Sequence, residues 1–474
     1  LGTSLVAGGL VGLSPRSLLA ASANEQLNLG LIGCGDRGGN LLEYFSHTTG
    51  THVAGLCDPD RERLAKFAKQ HPDAQTSTDL RDLLDNPEID AVLIATCNHW
   101  HCLAAIWAMQ AGKHVYVEKP LGHYSWDGVQ TVKAARHYDK VCQVGTQQRS
   151  DPMQSEIKQF LHDESALGPL KWVRVNRFGV RANIGRRAKP MRVPDSIDYN
   201  MWVGPAADQP ILRKSLHYDW HWDWNTGSGE MGNWGVHLLD DVRNNVFQDR
   251  IAFPSRITAA GGRYGWNDAG DTPNVMFAIA QVGEIPVATC LTNLPDQPGG
   301  ETPPPCPGPA SGYIAYCEGG RFEGQRGSAQ AFDADGKLIR RFRGDSGNIR
   351  HQQNFVDAVR AGDSSGLLAP VEVGHHSTQW CNLANLAHRV RAESGATSDD
   401  EAISHVFGQT CHAEQLLSEL RKHLAHHEPD AEFVVGPVLE FDGPQERFTG
   451  KLAEQANALL KRHDRAGFEI PEIA

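Results

Sequence analysis

An apolar run, Leu27-Asn-Leu-Gly-Leu-Ile32, passes directly into Gly33-x-Gly35-x-x-Gly38, and a helical pattern, Asn40-Leu-Leu-Glu-Tyr-Phe45, follows at once. A strand that turns this tightly into a helix constrains the chain more than any other feature in it. The first glycine permits the turn, the second lets the backbone approach a pyrophosphate, and the third lets helix and strand pack closely. Phosphates placed there meet the unpaired N–H groups and the positive dipole end of the helix. A second apolar run, Thr51-His-Val-Ala-Gly-Leu-Cys57, ends in Asp58, 20 residues beyond Gly38. That spacing lets a carboxylate reach the adenosine ribose hydroxyls of a dinucleotide. Asp58 would repel a 2′-phosphate, so NAD is expected in preference to NADP, with Arg61 and Arg63 close enough to temper the preference.

A chain of 474 residues can hold two or three domains, each with its own core. The net charge of −12 and the lack of any Lys/Arg cluster argue against a nucleic-acid surface. No stretch approaches 18 consecutive apolar residues, so no membrane span is expected. Residues 1–23 read differently: a mild apolar run ends in Leu18-Leu-Ala-Ala-Ser-Ala23, which offers an Ala21-x-Ala23 cleavage site. This resembles a twin-arginine export signal without the arginine pair in view, and predicts a periplasmic protein; without such a signal the location would be cytoplasmic. The ten cysteines form no disulfide or zinc framework. Cys34, Cys57, Cys97 and Cys142 fall in or beside apolar strands and read as small buried hydrophobes, which suits folding before export.

Strand and helix patterns alternate over 24–148. The expected strands are Leu27–Ile32, Val53–Cys57, Ala91–Thr96, His114–Glu118 and Val141–Gly145; the expected helices include Arg61–Gln70, Leu80–Asp85, Cys102–Ala111 and Trp126–Tyr138. That alternation predicts an α/β, doubly wound parallel sheet, a Rossmann dinucleotide-binding domain. Over 149–390 the pattern changes to strands at Leu170–Arg177, Arg256–Ala260, Val275–Val282 and Ile285–Asn293, with a Pro/Gly-rich surface loop from Pro295 to Pro309 and an apolar-striped helix at Thr378–Val390. This predicts an α+β domain with a large, open, mostly antiparallel sheet. Residues 391–474 read as a charged, mostly helical extension.

Two motifs carry chemistry. Lys113-His-Val-Tyr-Val-Glu-Lys-Pro120 places Lys119 at the carboxyl end of a parallel strand, where open α/β sheets bind ligands. Burial and a nearby cationic nicotinamide would lower its pKa toward a proton-relay value. In Gly227-Ser-Gly-Glu-Met-Gly-Asn-Trp-Gly-Val-His-Leu-Leu-Asp240, helical spacing puts Asn233, His237 and Asp240 on one face. A neutral His237 there could accept a hydroxyl proton. Just upstream, Leu216-His-Tyr-Asp-Trp-His-Trp-Asp-Trp224 alternates like a strand face. Its aromatic residues Trp220 and Trp222 suit the C–H face of a sugar, or core packing. His217, Arg213 and Asp240 are further candidates for polar substrate contacts.

Together these motifs resemble the Gfo/Idh/MocA oxidoreductase family, as do Thr96-Cys-Asn-His-Trp-His101, Asp198-Tyr-Asn-Met-Trp-Val-Gly-Pro205, Gly261-Gly-Arg-Tyr264 and His351-Gln-Gln-Asn-Phe355. The resemblance spans most of 27–390 and implies Lys119 and His237 as catalytic residues. The family pattern commonly has Asp four residues before the histidine, where this chain has Asn233; an amide can orient a hydroxyl but cannot take its proton. Cofactor contacts are expected from Gly33, Gly35, Asp36, Arg37, Gly38, Asp58, Asn98, His101, Glu118 and Lys119. The resemblance also implies a homodimer or homotetramer built through the C-terminal sheet. No metal ligand set is evident.

The function so predicted is NAD-dependent transfer of a hydride from a secondary hydroxyl of a sugar, cyclitol or glycoside. An exported enzyme meets no free NAD pool, so it should hold NAD tightly and regenerate it within the cycle, for example by oxidising one sugar and reducing another. The alternative is a redox-neutral glycoside hydrolase or lyase that works by transient oxidation and elimination. A non-catalytic dinucleotide-binding protein has only Asn233 in its favour.

Overall fold

The computed structural model describes residues 26–474, so the expected export signal at 1–23 lies outside the described residues. Strands β1 (Leu27–Ile32), β2 (Thr51–Cys57), β3 (Gln75–Ser77), β4 (Ala91–Ile94), β5 (His114–Val117) and β6 (Cys142–Val144) form a parallel sheet in the order β3-β2-β1-β4-β5-β6. β4 is buried along its whole length, and three of the four residues of β5 are. Both therefore read as short apolar runs, as central parallel strands do. Side-chain caps start two of the connecting helices: Asp60 accepts from the Glu62 N–H at 3.0 Å, and Asp79 from the Arg81 N–H at 2.9 Å. β3 was not expected. It has three polar residues at the sheet edge, too few to show a period, and pairs only with β2.

The topology reverses at β1, which lies between β2 and β4. Chain segments leave the carboxyl ends of β1 and β4 in diverging directions, and that opens the crevice where the site lies.

The second sheet has ten strands: β7 (Leu170–Phe178), β8 (Arg256–Gly262), β9 (Val275–Val282), β10 (Ile285–Thr292), β11 (Ser311–Cys317), β12 (Gly320–Gln325), β13 (Ser328–Asp333), β14 (Leu338–Arg343), β15 (Leu439–Asp442) and β16 (Arg447–Thr449). The order is β14-β13-β12-β11-β7-β10-β9-β8-β15-β16, and only β7 and β10 pair in parallel. β11 to β14 escape a reading of apolar runs because β12 to β14 alternate polar and small residues around tight turns. Their buried residues, such as Phe322, Ala331 and Phe342, face one side only.

One face of this sheet packs on the helices Val236–Asp241 and Val371–Ser394, in a core that includes Val175, Leu239, Met276 and Leu386. The other face, from β7 to β10, is covered by the chain's own helices Asp400–Phe407 and Ala413–Leu424, through Ile403, Leu417 and Leu420 against Phe277 and Ile279. In residues 391–474 helices carry most of the regular structure; β15 and β16 extend the sheet, and Phe468, Ile470 and Ile473 pack beside Trp100 in the Rossmann core. The sheet is not free along its length for a second copy. Its open part is β12–β14, whose outer residues Arg321, Gln330 and Arg341 are polar, because the apolar part is already buried by the extension.

Candidate active site

A cavity of about 500 Å³ lies at the carboxyl ends of β1, β4 and β5. Gly33, Gly35, Asp36, Arg37, Asp58, Asn98, His101, Glu118 and Lys119 all line it. Gly33 has φ +101°, and a Cβ there would lie 2.6 Å from the Ala95 carbonyl oxygen. Gly38 sits outside the lining, in the first turn of the helix Asp36–Ser46. A Cβ on it would lie 2.1 Å from the Gly33 carbonyl oxygen, so helix and strand can meet this closely only through glycine.

Asp58 is buried, and each of its oxygens accepts one backbone N–H: Cys34 at 2.7 Å and Asp60 at 2.8 Å. These bonds aim the carboxylate and leave lone pairs for ribose hydroxyls. Of the two nearby arginines only Arg63 lines the cavity, because Arg61 is turned away to the Asp195 carbonyl. The glycine turn and this carboxylate fit a dinucleotide. Burial raises the Asp58 pKa to about 6, so it is mostly ionised at pH 7. Asp58→Asn is expected to weaken NAD binding about 10- to 100-fold at pH 7.5, the range for a hydrogen bond to a charged group. Calorimetric titration with NAD checks this, and parent affinity should fall as the pH drops through about 6.

Lys119 stands at the floor of the cavity, partly open to it. Its Nζ donates to the Asn233 main-chain oxygen at 2.7 Å and contacts the Asn233 Oδ1 at 3.4 Å. Burial pulls its pKa down to about 8; Glu118 opposes this shift and Arg37 adds to it. Burial alone would raise the Glu118 pKa, but Arg37, whose Nε donates to it at 2.7 Å, and Lys119 outweigh that and hold it below the ordinary carboxylate value. His101 ties two loops together, with Nδ1 2.8 Å from the Pro120 oxygen and Nε2 3.2 Å from the Thr96 oxygen. Asn98 Oδ1 accepts from the Ser228 hydroxyl at 2.9 Å.

The glycine-rich segment becomes a π-helical turn, Met231–Gly235, that runs into the α-helix Val236–Asp241. The wider turn changes the spacing between Asn233 and His237, while His237 and Asp240 keep α-helical spacing. Asn233 lines the cavity. His237, expected beside the reacting groups, stands outside the lining: it is buried one turn further on, its ring 5.9 Å from that of the lining residue Trp234. Burial, reinforced by Lys119, Arg326 and Arg37, holds the His237 pKa well below its ordinary value, so the ring is neutral. Asp240 points elsewhere: it is buried against Arg149, whose Nε donates to both of its oxygens at 2.8 and 2.9 Å. The structure therefore does not bring Asp240 to the substrate side of the cavity.

The tryptophan stretch is a 3-10 turn, Asp219–Trp222, rather than a strand. Three residues per turn leave Trp220 on the cavity wall, stacked on His221 at 3.6 Å between ring centroids, and bury Trp222 outside the lining. His217 lines the cavity, with Nε2 3.0 Å from the Asp60 carboxylate. Arg213 stands outside the lining, paired with Asp223 at 2.6 Å and 5.6 Å from the Trp202 ring. It braces the wall and does not face the cavity.

Several lining residues were not singled out from the sequence. Trp202, Tyr218, His221 and Trp234 all lie within motifs quoted above, but nothing in those motifs tells wall from core. Arg326, whose charge acts on Lys119 and His237, comes from the turn between β12 and β13 and has no local signal at all.

Comparison with known proteins extends this picture. The family model described as "Oxidoreductase family, NAD-binding Rossmann fold" matches residues 27–146, and "Oxidoreductase family, C-terminal alpha/beta domain" matches 122–269. Among curated relatives, a glycosyl hydrolase family 109 protein of Shewanella sp. (strain W3-18-1) is 36% identical over 133 residues, 26% of this chain and 29% of the relative. Inositol 2-dehydrogenase of Corynebacterium glutamicum (strain R) is 29% identical over 187 residues, 38% of this chain and 54% of the relative. The match thus spans under a third of the first relative and about half of the second. Among solved structures, the WlbA dehydrogenase from Bordetella pertussis, in complex with NADH and UDP-GlcNAcA, superposes with a TM-score of 0.57 at 18% identity, covering 77% of this chain and 97% of that one. The two model matches overlap and run without a break from 27 to 269, over more than half of the 474 residues, so the chain belongs to the Gfo/Idh/MocA family of NAD-binding oxidoreductases.

Proposed function

We propose that the protein oxidises a secondary hydroxyl of a sugar, cyclitol or glycoside, with Lys119 taking the hydroxyl proton. One observation carries this reading: a lysine with its pKa brought down to about 8 lies in the same cavity as the dinucleotide turn. When bound, NAD supplies the acceptor for the hydrogen that leaves carbon with its electron pair. Lys119 is held from the protein side by the two Asn233 oxygens, so its free direction is the cavity. Trp202, Tyr218, Trp220 and Trp234 give the pocket aromatic walls suited to a sugar's C–H face, and His217 and His221 add polar tips. His237 keeps its expected place as the second proton carrier in this scheme, held neutral one turn behind Asn233 and outside the lining. Substrate contacts fall to Trp220 and His217; Trp222, Arg213 and Asp240 are withdrawn from that role.

The names of two relatives, the glycosyl hydrolase family 109 protein and an alpha-N-acetylgalactosaminidase of Shewanella oneidensis, favour a second reading on the same residues, net cleavage of a glycoside without net redox change. Export and self-association complete the proposal. An exported enzyme would retain its cofactor, and a second copy would dock on the open β12–β14 part of the sheet.

The test starts from protein purified without added cofactor, denatured, and analysed for released nucleotide by mass. Stoichiometric NAD(H) is expected; an empty protein with weak NAD affinity would remove the export argument. Assays then separate the two readings. Absorbance rising at 340 nm with a free sugar or inositol supports net oxidation, and release of an aryl aglycone with no change at 340 nm supports cleavage. In either assay His237→Ala should retain nucleotide and lose about 10²-fold or more of turnover, the range for general acid–base groups. Unaltered turnover would take His237 out of the scheme.

A further inference from the structure

Three residues before Asn233 stands Glu230, whose side chain is wholly buried. Arg177 reaches its Oε1 from Nε at 2.7 Å and from Nη2 at 2.6 Å. Arg181 reaches Oε1 from Nη2 at 2.9 Å and Oε2 from Nε at 3.2 Å. Asn233 Nδ2 donates to the same Oε2 at 3.2 Å. At the far end of that amide is Lys119. We propose that Glu230 is a positioning residue for Lys119, acting through Asn233: it fixes which end of the amide faces the lysine. The proposal rests on the reading of Lys119 as the proton acceptor.

Donor and acceptor chemistry sets the direction of the amide. Two guanidinium groups donate to this carboxylate, which meets them as an acceptor, as carboxylates do. The amide must therefore turn its NH₂ toward Glu230, which leaves its carbonyl oxygen toward Lys119. The ammonium is then met by two acceptors on the protein side, and its remaining direction is the cavity. An amide does not pass a proton on, so Glu230 cannot drain the lysine's proton into the interior. The same clamp reaches two further lining residues: Arg181 Nη1 donates to the Tyr218 hydroxyl at 3.2 Å, and the Arg177 guanidinium lies 4.7 Å from the Trp234 ring centroid. Tyr218 itself has φ +69°, a conformation a tyrosine keeps only where its surroundings impose it.

The test uses the full-length protein with its bound nucleotide and either myo-inositol or an aryl α-N-acetylgalactosaminide, whichever turns over. The charged and titratable groups facing Lys119 are Glu118, Arg37, Glu230, Arg326, His101, His221 and His237. Glu230→Gln removes one negative charge from this set and lets the Asn233 amide flip. The expected result is nucleotide retained, plateau kcat lowered about 10- to 100-fold, and the rising limb of the pH–rate profile moved to lower pH. In an Asn233→Ala background the same substitution should cost no further kcat. A plateau within twofold of the parent with an unmoved limb overturns the proposal, as does an equal loss in the Asn233→Ala background. Where Glu230→Gln does not yield folded protein, Glu230→Asp carries the test. It keeps the charge for the arginines but draws it back from Asn233, and the same kcat loss is expected. If Lys119→Met leaves turnover intact, the reading of Lys119 fails; if it abolishes turnover while the Glu230 variants do nothing, only this proposal fails.

Discussion

Lys119→Met is expected to lower turnover about 10²- to 10⁴-fold while the protein keeps its nucleotide and its fold. The lysine's pKa, brought to about 8, is what makes it useful. At pH 7 about a tenth of it is unprotonated, against fewer than about one in a thousand at its ordinary value. A base must lose its proton before it can take another, so parent turnover should rise with pH through about 8 and then level, and the variant should show no such limb. Stability runs the other way. Because the folded pKa lies below the unfolded one, the buried ammonium costs stability at pH 7, and that cost fades only as pH rises from about 8 toward 10.5. Methionine fills the same space without charge, so at pH 7 the variant should unfold at the same urea midpoint as the parent or a higher one. A destabilised variant would mean that the Lys119 contacts to Asn233 hold the fold, and its lost turnover would then say nothing about proton transfer. Turnover within tenfold of the parent would exclude Lys119 as the proton acceptor.

The legible parts of this protein are those whose physics is local. The turn after β1 could be read because Gly33 and Gly38 each meet a steric demand within a few residues of sequence or one strand away. β9 and the central strands showed as apolar runs because burial on both faces leaves no other pattern. β12 to β14 and the 3-10 turn at Asp219–Trp222 did not show. Their conformations are set by neighbours distant in sequence, and their residues mix polar and apolar types whatever the period. The site divides along the same line. Lys119 and Asp58 could be placed from the ends of their own strands. Asn233, His237 and Asp240 were assigned one face from α-helical spacing; a π turn alters the first interval, and Arg149 takes up Asp240. Glu230 and Arg326 act only through partners that the fold brings from other elements.

Asp240 provides the sharpest test of that division, because sequence and structure give it different work. In the structure it pairs with Arg149, from the 3-10 turn Gln147–Ser150 that follows β6, and accepts from the Ser377 hydroxyl at 2.6 Å on the long helix Val371–Ser394. Arg149 in turn donates to Asp249 at 2.7 and 3.0 Å. This buried set joins the turn after β6 to the helix that carries His237. Removing one partner of such a pair leaves a charge without compensation, so Arg149→Met should destabilise the protein by about 3–5 kcal/mol. The loss should shrink in mild acid, because burial already raises the Asp240 pKa and without Arg149 the carboxyl would protonate. Replacing both partners by apolar residues, Arg149→Met with Asp240→Leu, should recover much of the stability, since a well-packed apolar pair can stand in for an ionic one. Urea unfolding of the parent, the single and the double variants at pH 5.5 and 7.5 reads these differences. A substrate-binding Asp240 would behave otherwise: Asp240→Asn would raise KM at unchanged stability, and Arg149→Met would leave the unfolding midpoint alone. That outcome would restore the one-face reading of the histidine helix. A midpoint that falls in Arg149→Met and returns in the double variant assigns Asp240 to the joint between the domains, where it acts on catalysis only by holding His237 in place.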